Sequence, residues 1–164
     1  MHEKRKAEHL EICRNEDVRS RVPSGFSRYM LRNTALPELD LDAIDLSCRF
    51  LGKTLQAPLL ISSMTGGAVQ AERINYNLAQ AAQTLGLAMG VGSQRAGIDD
   101  PALMATYQVR HIAPDIALYA NLGAVQLNYG YGLDECRRAV ENIQADVLIL
   151  HLNCLQEALQ PGGN

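Results

Sequence analysis

The chain has 164 residues, of which 47% are hydrophobic and only 5% aromatic, with no tryptophan and a formal net charge of −3. This length allows one domain with an aliphatic core, and the slightly acidic charge argues against a general nucleic-acid binder. No apolar segment suits a signal peptide or a membrane span, and the four cysteines lack disulfide-framework or zinc-site spacing, so we expect a soluble cytoplasmic protein without nucleic-acid or membrane partners.

Residues 1–57 are predicted to lead into the main fold without forming a domain of their own. Glu3–Asn15 is predicted to be a charged helix, and an irregular stretch, Glu16–Asp42, follows it. Leu46–Phe50 and Thr54–Gln56 are predicted to pair as a short hairpin. In a barrel, such a hairpin commonly closes the amino-terminal end.

Four apolar runs recur at intervals of about 30 residues, which is the length of a strand with its crossover helix. These predicted strands are Pro58–Met64, Ala88–Ser93, Ile116–Leu122 and Asp146–Asn153. Helices are predicted between them at Gln70–Leu85 with Gly86 as C-cap, at Ala102–Val109 behind an Asp100 N-cap, and at Asp134–Ile143.

Four such units are half of a (β/α)8 barrel, which usually needs about 250 residues when complete. We therefore predict an α/β fold in one domain, residues 1–164, in which residues 58–164 form the first half of a TIM barrel. An open doubly wound sheet is the competing topology, but no Gly-x-Gly-x-x-Gly follows the first strand. We expect the barrel to be completed by a C-terminal half, either a further segment or a second chain, or by a second copy of this chain.

Polar residues and glycines lie at the carboxyl end of every predicted strand. They are Ser62–Gly67, Gly92–Arg95, Asn121–Gly123 and His151–Asn153. In a parallel barrel these ends converge on one face. Hydroxyls and amides there offer hydrogen bonds of both polarities to a planar heterocycle, and the glycines let a ring approach the backbone, which favours a flavin. Taken singly, each residue also fits a turn, a cap or a core position.

The last run ends in a cluster of polar groups that suits the rim of an active site. The cluster consists of His151, Asn153, Gln156 and Glu157. In the first helix, Arg5 and Lys6 lie three to four residues from His9, so the three side chains share a face that suits a phosphate or diphosphate. An ordinary solvated helix face, diluted by glutamates, is the alternative.

Together these motifs resemble the N-terminal half of the type 2, flavin-dependent isopentenyl-diphosphate isomerases. The matching segments are Arg5-Lys6-Ala7-Glu8-His9, Ala57-Pro58 through Met64-Thr65-Gly66-Gly67, Gly92-Ser93-Gln94-Arg95, Ala120-Asn121-Leu122-Gly123 and His151-Leu152-Asn153-Cys154-Leu155-Gln156-Glu157. The first strand is also typical of other FMN barrels. An FMN-dependent oxidoreductase of the hydroxyacid oxidase kind is therefore an alternative, as is an inactive half-barrel that needs a partner chain.

The resemblance implies interconversion of isopentenyl and dimethylallyl diphosphate, a 1,3-allylic proton shift that uses reduced FMN and Mg²⁺, with NADPH as reductant. It implies an isoprenoid diphosphate as substrate, and a homo-oligomer or a completing half as partner. It implies that Ser63, Met64, Thr65, Ser93 and Asn121 bind FMN, that Arg5, Lys6, His9, Arg95, Asn153 and Gln156 bind substrate, that Glu157 binds magnesium, and that His151 and Gln156 are catalytic. A glutamine amide is a very poor acid or base, so Gln156 is expected to act as a relay or an orienting group.

Overall fold

A computed structural model describes residues 2–159, with side chains described from Glu8 onward. The helices are α1 (His2–Asn15), α2 (Val69–Leu85), α3 (Arg95–Asp99), α4 (Leu133–Glu141) and α5 (Cys154–Leu159). The strands are β1 (Cys48–Phe50), β2 (Lys53–Leu55), β3 (Leu60–Ile61), β4 (Ala88–Gly90), β5 (Leu118–Gly123) and β6 (Val147–His151). Short 3-10 helices cover Phe26–Arg28, Leu41–Ala43, Pro101–Tyr107 and Ala124–Tyr129. Within residues 2–159, no helix has the length and apolar character needed to cross a membrane.

The four strands β3 to β6 form one parallel sheet in the order in which they occur along the chain. Helical segments connect each strand to the next. Strands that are added one after another in this way are typical of a TIM barrel, whereas the strand order of a doubly wound sheet reverses at a switch point. The predicted α/β fold with half of a parallel barrel is therefore confirmed.

The outer face of the sheet packs against the helices in an aliphatic core. Leu118 and Leu122 of β5 are fully buried there with Met89 of β4. Ala79 and Ala82 of α2 belong to the same cluster, and their small side chains let the helix lie close to the sheet. Because side chains alternate along a strand, Tyr119 and Asn121 face the interior of the half-barrel.

The β1–β2 hairpin covers the inner face at the amino-terminal end of the strands. Leu55 is buried in a small cluster with Ala88 and Tyr119. Lys53 forms an ion pair with Asp146, just before β6, at 3.3 Å. These contacts fill the inner face near the amino-terminal ends of the strands and leave the space near their carboxyl ends for a ligand.

The structure places several element boundaries differently from the sequence predictions. The first strand of the repeat was expected to reach Met64, but β3 contains only Leu60–Ile61. The chain leaves the sheet there and returns at Thr65, whose carbonyl accepts a hydrogen bond from the Gly92 N–H at 2.8 Å. The loop therefore crosses the end of β4 instead of extending β3.

Two helical regions also differ from the predictions. The helix predicted at Ala102–Val109 is a 3-10 helix, Pro101–Tyr107, preceded by α3, which was not predicted. Its predicted cap is confirmed, because the Asp100 side chain accepts from the Ala102 N–H at 3.0 Å. The last strand was expected to run to Asn153, but it ends at His151 and α5 follows.

Candidate active site

A cleft of about 720 Å³ lies at the carboxyl ends of the parallel strands. Its volume is within the range of pockets that hold cofactors and small substrates. The predicted site residues that line it are His9, Ser63, Met64, Ser93, Arg95, Asn121, His151, Asn153, Gln156 and Glu157. Residues from all four strand ends and from α1, which are far apart in the sequence, thus share one cavity.

Among the predicted site residues whose side chains are described, Thr65 alone does not line the cleft. Thr65 is buried beside it, and its carbonyl accepts bonds from the Gly92 N–H and from the Asn75 side-chain amide. Arg5 and Lys6 belong to α1, but their side chains lie outside the described residues. From α1, His9, Glu8 and Ile12 line the cleft. Glu8 and Ile12 were not predicted to be site residues.

Ser63 carries a hydroxyl that fits a bound heterocycle. Its Oγ is buried and has no hydrogen-bond partner among the described residues, although the side chain lines the cleft. An unsatisfied buried hydroxyl costs about 1–3 kcal/mol, so a ligand that bonds it is favoured. Gly90 lies directly below, where a Cβ would overlap the Ser63 Oγ. The glycine therefore allows the serine to occupy this position.

His151 and Asn121 form a pair on the inner face of the sheet. The His151 Nδ1 lies 3.0 Å from the Asn121 Oδ1. Asn121 is buried, and His151 is partly buried at the end of β6. The ring also lies above Gly123, where an added Cβ would approach the His151 Cε1 to 3.4 Å. The histidine ring is thus held by an amide on one side and given room by a glycine on the other.

Asn153 determines how Gln156 is presented to the cleft. The Asn153 Oδ1 accepts from the Gln156 N–H at 3.0 Å, so Asn153 caps α5. The Asn153 Nδ2 donates to the Gln156 Oε1 at 3.1 Å. Because this bond uses the oxygen of the glutamine amide, its NH₂ group is the end available to donate to a ligand.

The described residues contain no group of three or more His, Cys, Asp or Glu side chains that could hold a metal by themselves. Glu157 and Glu8 nevertheless both line the cleft. Magnesium is commonly bound by one or two carboxylates together with substrate phosphates and water. The oxygen donors present therefore fit a magnesium ion that arrives with a diphosphate.

Arg95 is oriented by two residues that sequence reasoning missed. Its Nε lies 3.6 Å from the Asp99 Oδ2, one helical turn away in α3. Tyr131 donates to the Asp99 Oδ1 at 2.6 Å, and burial together with this bond raises the pKa of Tyr131. The i,i+4 spacing of Arg95 and Asp99 could have predicted their ion pair from the sequence. The contact of Tyr131 with Asp99 depends on tertiary structure and could not.

A buried polar network holds the loops behind the cleft. The Asn75 Nδ2 donates to the Thr65 and Thr106 carbonyls at 3.3 and 2.9 Å, and the Gly67 N–H donates to the Thr106 Oγ1 at 2.8 Å. The Tyr107 hydroxyl donates to the Ser93 carbonyl at 2.8 Å. These bonds fix the positions of the loops that follow β3 and β4.

Tyr107 should make the chain unstable in alkali. It is fully buried, and burial raises the pKa of its phenol well above the usual range. In the unfolded chain a tyrosine ionises near pH 10, so the stability due to the neutral phenol is complete below about pH 10 and falls above it by about 1.4 kcal/mol per pH unit. Urea unfolding between pH 8 and 11 should show this slope, and Tyr107→Phe should reduce it by that amount. An equal slope in both proteins would contradict the assignment.

This chain is similar in sequence to a family of flavin-dependent enzymes and to several named proteins. A family model described as FMN-dependent dehydrogenase matches residues 10–101. Proteins named isopentenyl-diphosphate delta-isomerase from Synechocystis, Nostoc and Rickettsia rickettsii are 59%, 55% and 56% identical to this chain. These matches cover 98% of the chain and 46–47% of the relatives. The chain therefore spans about half the length of the curated relatives it matches.

Proposed function

This chain belongs to the FMN-dependent dehydrogenase family, and from that premise we propose that it forms the N-terminal half of an isopentenyl-diphosphate delta-isomerase. The proposed reaction is the 1,3-allylic proton shift between isopentenyl and dimethylallyl diphosphate. The observation that carries the proposal is the single cleft that joins the strand-end hydroxyls and amides to His151, Gln156 and Glu157. The names of the relatives support the isomerase over other FMN-dependent activities.

The FMN ring is proposed to lie against the ends of β3, β4 and β5. The unpartnered Ser63 hydroxyl supports this placement, as do the glycines that leave space beside it. The proposed FMN contacts are Ser63, Met64, Thr65, Ser93 and Asn121. When bound and reduced, for which NADPH is the proposed reductant, the flavin supplies an electron-rich ring that stabilises positive charge and holds a proton beside the alkene.

The diphosphate is proposed to bind between α1 and the ends of β4 and β6. Arg95 and His9 both line the cleft, and both side chains provide nitrogen donors. Glu157 is proposed to bind Mg²⁺ that is shared with the diphosphate, in keeping with the preference of this ion for oxygen ligands. Asn153, Gln156, Arg5 and Lys6 complete the proposed substrate contacts.

The reaction itself requires little covalent chemistry from the protein. An unactivated alkene is protonated only by an acid fixed against one of its faces in a pocket that excludes water. His151, held by Asn121, and Gln156, held by Asn153, are proposed to orient the substrate and to move a proton at the cleft wall. The carboxamide of Gln156 is suited to donating a hydrogen bond or relaying a proton rather than to acting as the acid.

A hybrid enzyme separates this function from its alternative. In the hybrid, this chain replaces the matched N-terminal part of the Synechocystis relative, to which it is 59% identical. We expect the hybrid to convert isopentenyl to dimethylallyl diphosphate when its FMN is reduced with dithionite and Mg²⁺ is present. A hydroxyacid oxidase would instead act with oxidised FMN and consume oxygen. A folded, flavin-loaded hybrid that oxidises hydroxyacids and isomerises nothing would overturn the proposal.

Further parts of the proposal concern assembly and location. We propose that the half-barrel is completed by the remaining half of the family's chain and that the complete protein is a homo-oligomer. A cytoplasmic location is proposed because the four cysteines are free thiols, as expected in a reducing compartment.

Asp99 provides a measurable test of the proposed role of Arg95. Asp99→Asn keeps an acceptor for Tyr131 but removes the ion pair with Arg95. An exposed ion pair contributes up to about 1 kcal/mol, so KM for isopentenyl diphosphate should rise by up to about fivefold in the hybrid while kcat stays unchanged. Steady-state kinetics give both constants. A fall in KM would contradict this role, since Asp99 would then mainly compete with the diphosphate for the guanidinium.

A further inference from the structure

Gln94 is a buried residue to which the proposed function gives no role. It lies between Ser93 and Arg95, which both line the cleft. The side chain of Gln94 itself is 0% exposed. A primary amide so deeply buried is costly unless both its oxygen and its nitrogen are hydrogen-bonded.

The oxygen end of Gln94 holds the backbone of Asn121. The Gln94 Oε1 accepts from the Asn121 N–H at 3.2 Å, and the Gln94 N–H donates to the Asn121 carbonyl at 2.8 Å. Strand β4 stops at Gly90, so it offers no strand residue to pair with Asn121 of β5. The side-chain oxygen thus takes the place of a strand carbonyl and continues the pairing up to Asn121.

The nitrogen end of Gln94 connects the same point to a helix. The Gln94 Nε2 donates to the Ala139 carbonyl at 2.9 Å. Ala139 lies in the last turn of α4, where carbonyls lack intrahelical partners. A single amide therefore joins β5 to the carboxyl end of α4.

The side chain of Asn121 contacts His151, which lines the cleft. Its Oδ1 lies 3.0 Å from the His151 Nδ1. A carboxamide oxygen can only accept, so a ring that bonds it donates from Nδ1, and the tautomer that fits this contact has Nε2 as its acceptor. Gln94 thus links the Ala139 carbonyl to the backbone of Asn121, and the side chain of Asn121 contacts His151.

We propose that Gln94 is a positioning residue for His151, which acts through Asn121 to keep the imidazole in its Nδ1–H tautomer with Nε2 available as the acceptor. This inference rests on the proposed function, in which His151 faces the substrate. The inference concerns only which ring nitrogen of His151 carries the proton, and this tautomer can be measured without substrate, FMN or metal.

The test is the tautomer of His151 in the 164-residue chain, measured by long-range ¹H–¹⁵N NMR. The spectra are recorded at about pH 8, and the signals of His151 are identified by their loss in His151→Gln. In the wild type the Nδ1–H form should predominate. In Gln94→Met, which keeps the length of the side chain but no polar atom, the Asn121 backbone loses one bond and its side chain should be held less firmly against His151. The ratio of Nδ1–H to Nε2–H should therefore fall by about two- to fivefold, where fivefold corresponds to the loss of one whole hydrogen bond.

Two further variants separate positioning from structural support. Gln94→Glu retains an oxygen for the Asn121 N–H, and it should keep the ratio within about twofold of the wild type. The matched control is Gln108→Met, because the Gln108 Nε2 also donates near the end of α4, to the Asn142 carbonyl at 3.3 Å, but it is not bonded to Asn121. The control should leave the ratio unchanged.

Each outcome decides the proposal. A predominant Nε2–H form in the wild type would overturn it even if no Gln94 variant folds. A folded Gln94→Met with a lower melting temperature but an unchanged ratio would show structural support alone and would also overturn it. A hybrid that fails to isomerise would instead count against the proposed function and would leave the tautomer result standing.

Discussion

Replacement of Glu157 by glutamine should lower the isomerisation rate of the hybrid enzyme about 100-fold or more. Loss of residues that merely hydrogen-bond metal ligands costs about 10- to 100-fold, and loss of a ligand itself should cost at least as much. The substitution keeps the size of the side chain but removes the negative charge, and a neutral amide is a much poorer ligand for a hard cation. The Mg²⁺ concentration that gives half-maximal rate should rise, while the FMN content should stay the same, because Glu157 is not among the proposed flavin contacts.

The matched control for this experiment is Glu141→Gln. Glu141 is an exposed glutamate at the end of α4 and does not line the cleft. Its variant should retain full activity and an unchanged Mg²⁺ requirement. A Glu157→Gln hybrid with wild-type rate and Mg²⁺ dependence would show that the metal is bound elsewhere.

Replacement of Gly92 by alanine should destabilise the chain by about 3 kcal/mol, at the upper end of the cost of overpacking. A Cβ on Gly92 would lie 2.6 Å from the carbonyl carbon and oxygen of Thr65 and 2.7 Å from its nitrogen. These are backbone atoms, so they cannot move aside as a side chain would. The bond from the Gly92 N–H to the Thr65 carbonyl, 2.8 Å long, should be broken as well.

The loss of stability is measured by urea unfolding of Gly92→Ala and of a control, Gly132→Ala. A Cβ on Gly132 would meet only the Glu135 Oε2, at 3.9 Å. Gly132 is the N-cap of α4, where alanine is somewhat unfavourable, and the control should lose no more than about 1 kcal/mol. Equal losses in the two variants would show that the contact between the loop and β4 does not contribute to stability.

The 30-residue repeat was sufficient to predict the order and direction of the parallel strands. That prediction rested on the spacing of the four apolar runs, which matches the length of a strand with its crossover helix. In the folded sheet, Leu118 and Leu122 face the helices while Asn121 faces the cleft. The first strand was overestimated because its predicted run was carried through Ser62 and Ser63 to the apolar Met64. In the folded chain these residues belong to a loop that packs over Gly90.

The composition of the cleft was also largely predictable, but the bonds within it were not. Asn121 pairs with Ile149 in the register of β5 and β6, so His151 lies two residues further along on the same face. That register, and hence the bond between Asn121 and His151, depends on packing of the whole sheet. The role of Gln94 was missed for a similar reason, because its partners Asn121 and Ala139 are 27 and 45 residues away.

The decisive experiment is incubation of the dithionite-reduced hybrid with isopentenyl diphosphate and Mg²⁺ in D₂O, followed by proton NMR. The product should be dimethylallyl diphosphate that carries deuterium from the solvent, with no net change in the flavin absorbance. Dependence of this product on Glu157 would link the chemistry to the cleft of this chain. A folded, flavin-loaded hybrid that leaves the substrate unchanged, or that transforms it only with stoichiometric oxidation of the flavin, would rule out the proposed isomerase.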